Sequence, residues 1–182
     1  MSIIFETEKL TIREWETKDI YDLYEYASNP EVTKYLTFPT YTDIKCAEDR
    51  INDLLVKYQT NNIIQDYAIE LKELNKVIGA IGVVHYSPKC GGIAEIGYCL
   101  NPAFQHHGYM TEALKGYIKY IKINNFAKRI EAIHDVDNYK SGLVMQRAGM
   151  TKEGILRKYS SNNIHPICDC AIYSILDEEI EL

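Results

Sequence analysis

The stretch from Glu95 to Ala113, EIGYCLNPAFQHHGYMTEA, carries the densest set of groups able to do chemistry. A strand-like run ends at Leu100-Asn101-Pro102, a loop holding Gly108 follows, and a helical pattern begins near Met110. A helix start leaves several backbone N–H groups without partners, and the helix dipole adds partial positive charge there. Strand, glycine loop and helix start together make an anion site, with Gly108 letting the backbone approach a phosphate closely. The loop is neither G-x-x-x-x-G-K-[ST] nor G-x-G-x-x-G, so it is not one of the common nucleotide loops. On spacing alone, an ordinary strand-to-helix turn with a glycine reads equally well.

Glu95 is the carboxylate best placed to take a proton. Strand alternation puts it on one face with Ile93, Gly97 and Cys99, where apolar neighbours would raise its pKa. A surface or salt-bridged strand residue is the plain alternative. A nucleophilic Cys99 would need an activating histidine, His134 or His107, close in space. Packing as a small apolar side chain is the simpler role for Cys99. His106-His107 lack a surrounding carboxylate cluster, so no metal is expected.

The elements that must position these groups follow from periodicity. Residues 9–14 alternate and predict a strand. Ile20, Leu23, Tyr24 and Ala27 predict a helix that Asn29-Pro30 breaks. Ala47, Ile51, Leu54, Leu55 and Tyr58 predict a second helix ending at Asn61-Asn62. Three strands follow: one through Tyr67, Ile69 and Leu71, a nearly all-apolar central strand Val77–Val84, and Ile93–Leu100. Leu74–Lys76 and Gly91-Gly92 make the turns of this antiparallel meander. The period then changes, with a helical stripe of Met110, Ala113, Leu114, Tyr117, Ile118 and Ile121. A strand at 128–135, a helix near 140–148 and strands near 153–159 and 167–175 complete a mixed sheet with helices on its faces, an α/β (or α+β) layer domain.

Composition narrows the function classes. The chain has 182 residues, Lys+Arg 20 against Asp+Glu 26, and a formal net charge of -6. That length suits one domain with an adequate core. The acidic balance argues against a nucleic-acid binder and suits a cationic partner. Five cysteines, with no C-x-x-C pair, argue against a disulfide or zinc scaffold. The start, MSIIFETEKL, has no signal-peptide pattern, and no apolar run is long enough to span a membrane. A cytoplasmic protein is expected.

Gln105-His106-His107-Gly108-Tyr109-Met110-Thr111-Glu112-Ala113 resembles the Q/R-x-x-G-x-G/A loop of the GNAT acyltransferases. Its Gly-Tyr-Met-Thr-Glu-Ala part is similar to the version in the ribosomal-protein N-acetyltransferase (RimJ/RimL-type) branch. LTIREW near the start, AEIGY before the loop, Asn138–Ser141 followed by Gln146–Met150, and Asp169 with IYSIL fall in that branch's order. Met110 departs from the wider family's Gly or Ala, so its side chain must point away from the pyrophosphate.

The resemblance implies a single GNAT domain over 1–182, with a mixed, mostly antiparallel sheet of about seven strands flanked by four helices. It implies acetyl-CoA as co-substrate and direct transfer of the acetyl group to a primary amine in a ternary complex. In that branch the amine is a protein N-terminus; a small amine such as a polyamine or antibiotic is the alternative. A non-catalytic acyl-CoA-binding module is a reading from another class. The pantetheine arm would pair with backbone near Tyr98, Cys99 and Leu100, and the pyrophosphate would lie on Gln105, His106, His107, Gly108, Tyr109 and Met110, beside Thr111. Asn138 matches the family's cofactor-arm asparagine. Seven residues later many members have a tyrosine acid, but here the residue is Met145. Ser141 is left to protonate the thiolate, or to cap the helix start. Arg13, Trp15, the Tyr35–Tyr41 loop and Asp169 would serve the acceptor, and Lys115 or Lys140 a cofactor phosphate. A monomer or homodimer is expected, without nucleic-acid or membrane partners.

Overall fold

The computed structural model describes residues 2–60 and 63–182; the helix end expected at Asn61-Asn62 lies outside the described residues. Its elements in chain order are β1 (Ile3–Glu6), β2 (Leu10–Arg13), α1 (Ile20–Ala27), α2 (Pro30–Thr33), α3 (Ile44–Lys57), β3 (Asp66–Leu71), β4 (Lys76–Ser87), β5 (Ile93–Leu100), α4 (Tyr109–Ile123), β6 (Arg129–Asp135), α5 (Tyr139–Arg147), β7 (Thr151–Ser160) and β8 (Cys168–Leu176). They form one sheet in the order β1-β2-β3-β4-β5-β6-β8-β7. Only the β5–β6 pair is parallel among these strands.

The described residues thus hold eight strands and five helices, against the expected seven and four. The added strand is β1, four residues long with an exposed–half-buried pattern too short to show a period. The added helix is α2. Asn29 accepts from the Glu31 N–H and Pro30 is its first residue, so Asn29-Pro30 starts a helix as well as ending one.

Each face of the sheet has its own core. Ile12, Ile69, Ile81, Ala94 and Ile96 pack under α4 and α5, with Leu114, Tyr117, Ile118 and Met145. Ala68, Val77 and Ala80 pack on the other face under α1 and α3, with Trp15, Tyr26, Ile51 and Leu54. The buried stripe of α4 is the one its spacing predicts.

The ladder opens at one place. β5 and β6 pair only through Ile93↔Arg129, Ala94↔Ile130 and Glu95↔Glu131. Beyond that point β5 stays with β4 as far as Leu100, and β6 stays with β8 as far as Asp135. The two strands diverge and leave a V-shaped opening. A bulge between Val83 and His85 sits beside the branch point. A Cβ on Gly97 would lie 2.6 Å from Val84 Cγ1, so glycine makes room for the bulged side chain. Bulges sharpen local twist and re-aim a strand, which fits their place here.

Candidate active site

The V-shaped opening continues into a cleft of about 610 Å³. β5 contributes Tyr98, Cys99 and Leu100; the following loop and the start of α4 contribute Gln105, His106, Gly108, Tyr109, Met110 and Thr111. α5 and the turn before it contribute Asn138, Lys140, Ser141, Val144 and Arg147. Glu31, Lys34 and Tyr35 close it from the α2 side, and Asp137 lines it from the turn after β6.

The geometry of the loop could hold an anion. Asn101 fixes its start: its Oδ1 accepts from the Ala103 N–H at 3.1 Å and its Nδ2 donates to Glu25 Oε1 at 2.9 Å. His106 (φ 67) and Gly108 (φ 81) are both left-handed, an alternation that turns backbone amides toward one concavity. Gly108 occupies the N-cap of α4 with no side-chain cap, so the first-turn amides open to the cleft. Met110 is 6% exposed and belongs to the core, so its side chain leaves the anion side clear. His107 turns away; its Nδ1 bonds the Gln105 carbonyl at 2.7 Å and its ring stacks on Tyr109.

A Cβ at Gly108 would meet nothing within 4 Å, so only φ demands glycine there. Gly108→Val is therefore expected to fold but to strain the loop by about 1–2 kcal/mol. About tenfold weaker acetyl-CoA binding by calorimetry is the expected result, since roughly 1.4 kcal/mol is a factor of ten. Unchanged affinity would show that the loop is not the anion site.

Tyr98 and Ser141 meet across the cleft. The Tyr98 hydroxyl donates to the Ser141 carbonyl at 3.0 Å and shares a 2.9 Å hydrogen bond with Ser141 Oγ. Burial pushes the Tyr98 hydroxyl up, and the Ser141 bond only partly opposes it, so it keeps its proton at neutral pH. Ser141 does not cap α5: the N-cap is Asn138, and Ser141 Oγ is engaged with Tyr98 instead. Met145, 1% exposed, packs in the core. A phenol thus reaches this end of α5 from β5 rather than from position 145. Cys99 also lines the cleft, but burial pushes its thiol up to about 12. A thiol held neutral is a poor nucleophile, which argues against an acetyl-cysteine step.

Several expected residues lie elsewhere. Glu95 shares a face with Gly97 and Cys99 but sits opposite His85 and Glu131, where β5 and β6 are still zipped, and it does not line the cleft. Burial raises its pKa, with His85 opposing. Arg13 is 1% exposed and spends its guanidinium on Asp19 and Glu70. Asp169 accepts from the Lys158 N–H at 2.8 Å, holding β7 where Lys158 takes a positive φ of 51. Lys115 is exposed on α4 outside the cleft, whereas Lys140 lines it. Of the acceptor-side residues expected, Tyr35 and Leu36 of the Tyr35–Tyr41 loop are the ones the fold brings to the cleft, the Tyr35 hydroxyl donating to the Asp137 carbonyl at 3.4 Å. Sequence reading missed Lys34, Glu31, Asp137 and Arg147. Arg147 was within reach: Lys140, Val144 and Arg147 follow one helical stripe at i, i+4, i+7.

The model of the acetyltransferase (GNAT) domain matches residues 9–151. The chain belongs to the GNAT acetyltransferase family. It is 35% identical over 176 residues to the uncharacterized N-acetyltransferase p20 of Bacillus licheniformis, covering 95% of this chain and 96% of that one. Among solved structures, the microcin C7 self-immunity acetyltransferase MccE in complex with acetyl-CoA and AMP superposes with a TM-score of 0.82 at 25% identity, over 93% of each chain. RimL, the ribosomal L7/L12 α-N-protein acetyltransferase in complex with coenzyme A, shares the fold at a TM-score of 0.83 and 22% identity, over 96% of this chain and 98% of that one. The residues of this GNAT domain suit acetyl-CoA on three counts. The β6-facing edge of β5 beyond Glu95 lies open to a pantetheine arm, the α4 start offers amides to a pyrophosphate, and Lys140 and Arg147 offer charge. Among the described residues no helix is long and apolar enough to cross a membrane, and all five cysteines are free thiols.

Proposed function

We propose that this GNAT acetyltransferase acts as one domain over residues 1–182 in the cytoplasm and acetylates the α-amino group of a protein or peptide. The observation that carries the reading is the Tyr98–Ser141 pair at the mouth of the splayed β5–β6 ladder. Acetyl-CoA supplies an activated thioester. Asn138 and the β5 backbone at Tyr98, Cys99 and Leu100 hold its arm, and Gln105 to Thr111 with Lys140 and Arg147 hold its phosphates. Backbone N–H groups at Tyr98 or Cys99 stabilise the carbonyl oxygen as charge develops on it. Ser141 donates its proton to the departing sulfur, and Tyr98 orients that hydroxyl and restores its proton.

The acceptor side favours a cation. Asp137 and Glu31 line the cleft there, and the chain carries a net charge of -6. Glu31 is paired with Lys34 at 2.9 Å, whereas Asp137 keeps 64% of its side chain exposed. Mass spectrometry after incubation with acetyl-CoA and a panel of peptides of varied first residue, polyamines and aminoglycosides tests the assignment. Acetylation of peptide α-amines in preference to the small amines is expected; the opposite preference would overturn it.

A further inference from the structure

We infer that His165, oriented by the buried carboxylate of Asp135, is the proton acceptor for an acceptor amine seated against Asp137. The inference rests on the acetyltransferase reading above and names the base that reading lacks: Glu95 sits where β5 and β6 are still paired, whereas His165 borders Asp137, which lines the cleft. Asp135 ends β6 beyond its last pairing with β5, and its side chain is 3% exposed. Its Oδ1 accepts from the Asp137 N–H at 2.9 Å; its Oδ2 accepts from Asn162 Nδ2 and from His165 Nδ1, both at 2.7 Å. A carboxylate accepting at Nδ1 fixes the proton on that nitrogen, so neutral His165 carries its lone pair on Nε2. Nε2 lies 3.7 Å from Asp137 Oδ2, and Asp137 lines the cleft beside Asn138. An amine nitrogen between these two atoms can bond both.

The loop carrying His165 is held from two sides. Asn162 Oδ1 accepts from the N–H groups of Ile164 and His165 at 3.1 and 2.8 Å. Asn163 Nδ2 donates to the carbonyls of Thr33 and Phe38 at 2.8 and 2.7 Å, tying the loop to the α2 side. A base oriented by a third group, on a braced loop, is the arrangement general-base catalysis needs.

Among the described residues, two charged groups face His165 from the elements against it: Asp135 from β6 and Asp137 from the turn that follows. The Tyr35 hydroxyl reaches that turn at the Asp137 carbonyl, from beside α2. Burial opposes ionisation of Asp135, but the bonds from His165, the Asp137 amide and Asn162 outweigh it and hold its carboxyl below the usual range. The bond to Asp135 raises His165 in turn, with both carboxylates adding to the shift. An α-amine titrates at about 7.7–8.0 and an alkyl amine at about 10.4, so an upward shift brings the histidine toward the α-amine, the nearer of the two.

In the transfer, the amine lone pair forms the N–C bond and an N–H proton passes to His165 Nε2. The C–S bond breaks with its electron pair going to sulfur, which takes the Ser141 proton. Solvent then removes the proton from His165 and returns one to Ser141 through Tyr98.

The test compares wild type and His165→Gln on a lysine-free peptide with a free α-amine, from pH 5.5 to 9. His165→Gln is expected to lower kcat about 100-fold near pH 7, a size ordinary for a lost general base, with acetyl-CoA affinity unchanged. The deficit should shrink toward pH 9, where the free amine is abundant. Asp137→Asn should raise KM for the peptide more than it lowers kcat. A His165→Gln rate within threefold of wild type across the range overturns the inference while leaving the acetyltransferase reading intact. Should the wild type acetylate no amine, that reading fails, and NMR of the His165 ring then tests the seating of the amine against it. A shift on adding the free peptide but not its N-acetylated form supports it, and no shift overturns it.

Discussion

Arg13→Ala is expected to lower stability by about 3–5 kcal/mol, the range for removing one partner of a buried ion pair. Arg13 donates to Asp19 through two nitrogens at 2.7 and 2.8 Å, to Glu70 Oε2 at 2.8 and 2.6 Å, and to the Glu14 carbonyl at 3.0 Å. Arg13 and Asp19 are 1% and 2% exposed. Removing the guanidinium leaves the Asp19 carboxylate buried with the Glu16 N–H at 2.8 Å as its remaining donor. At roughly 2–4 °C per kcal/mol for a chain of this size, the melting midpoint should fall by about 10 °C. Arg13→Lys should fall in between, because lysine keeps the charge but not the planar fork. Acetyl-CoA affinity of the folded fraction should not change. Thermal denaturation with cofactor titration checks both parts; a stable variant with weakened amine binding would return Arg13 to the acceptor site.

Ser141→Ala is expected to lower kcat about 100-fold while leaving KM for acetyl-CoA within about twofold, the pattern of an interaction used in the transition state. Thiol release, followed at saturating cofactor, reads the effect. Tyr98→Phe should bring a large part of the same loss, because the serine hydroxyl then lacks its 2.9 Å partner. The double variant decides between a shared and a separate role. Groups acting as one unit give a double loss little larger than the single one; independent groups multiply. Losses that multiply, or a Ser141→Ala rate within threefold of wild type, would separate Ser141 from proton delivery.

Much of the scaffold was legible because it depends on neighbours in sequence. The stripe from Met110 to Ile121 is a helix because its apolar residues recur at 3.6-residue spacing, and Val77 to Val83 is buried because the run is apolar on both faces. Gly108 and the residues around it marked a loop before a helix start, and the structure adds that Gly108 is left-handed there. The limits appear where a short element shows no full period, as in β1, or where one dipeptide both ends and starts a helix, as at Asn29-Pro30.

The sequence by itself determined the element types, the loop at 105–111, the family resemblance and the alternation that puts Glu95, Gly97 and Cys99 on one face. Only the tertiary structure decided which of these residues reach the cleft. Alternation assigns a face but not the point where two strands part, and that point falls just after Glu95. Charge type assigns a pairing capacity but not the partner, so Arg13 and Asp169 are satisfied within the framework. The groups that do converge are far apart along the chain: Tyr98 and Ser141 lie 43 residues apart, Asp135 and His165 lie 30 apart. Contacts at such separations are set by how the sheet stacks and splays, and no local period carries that information.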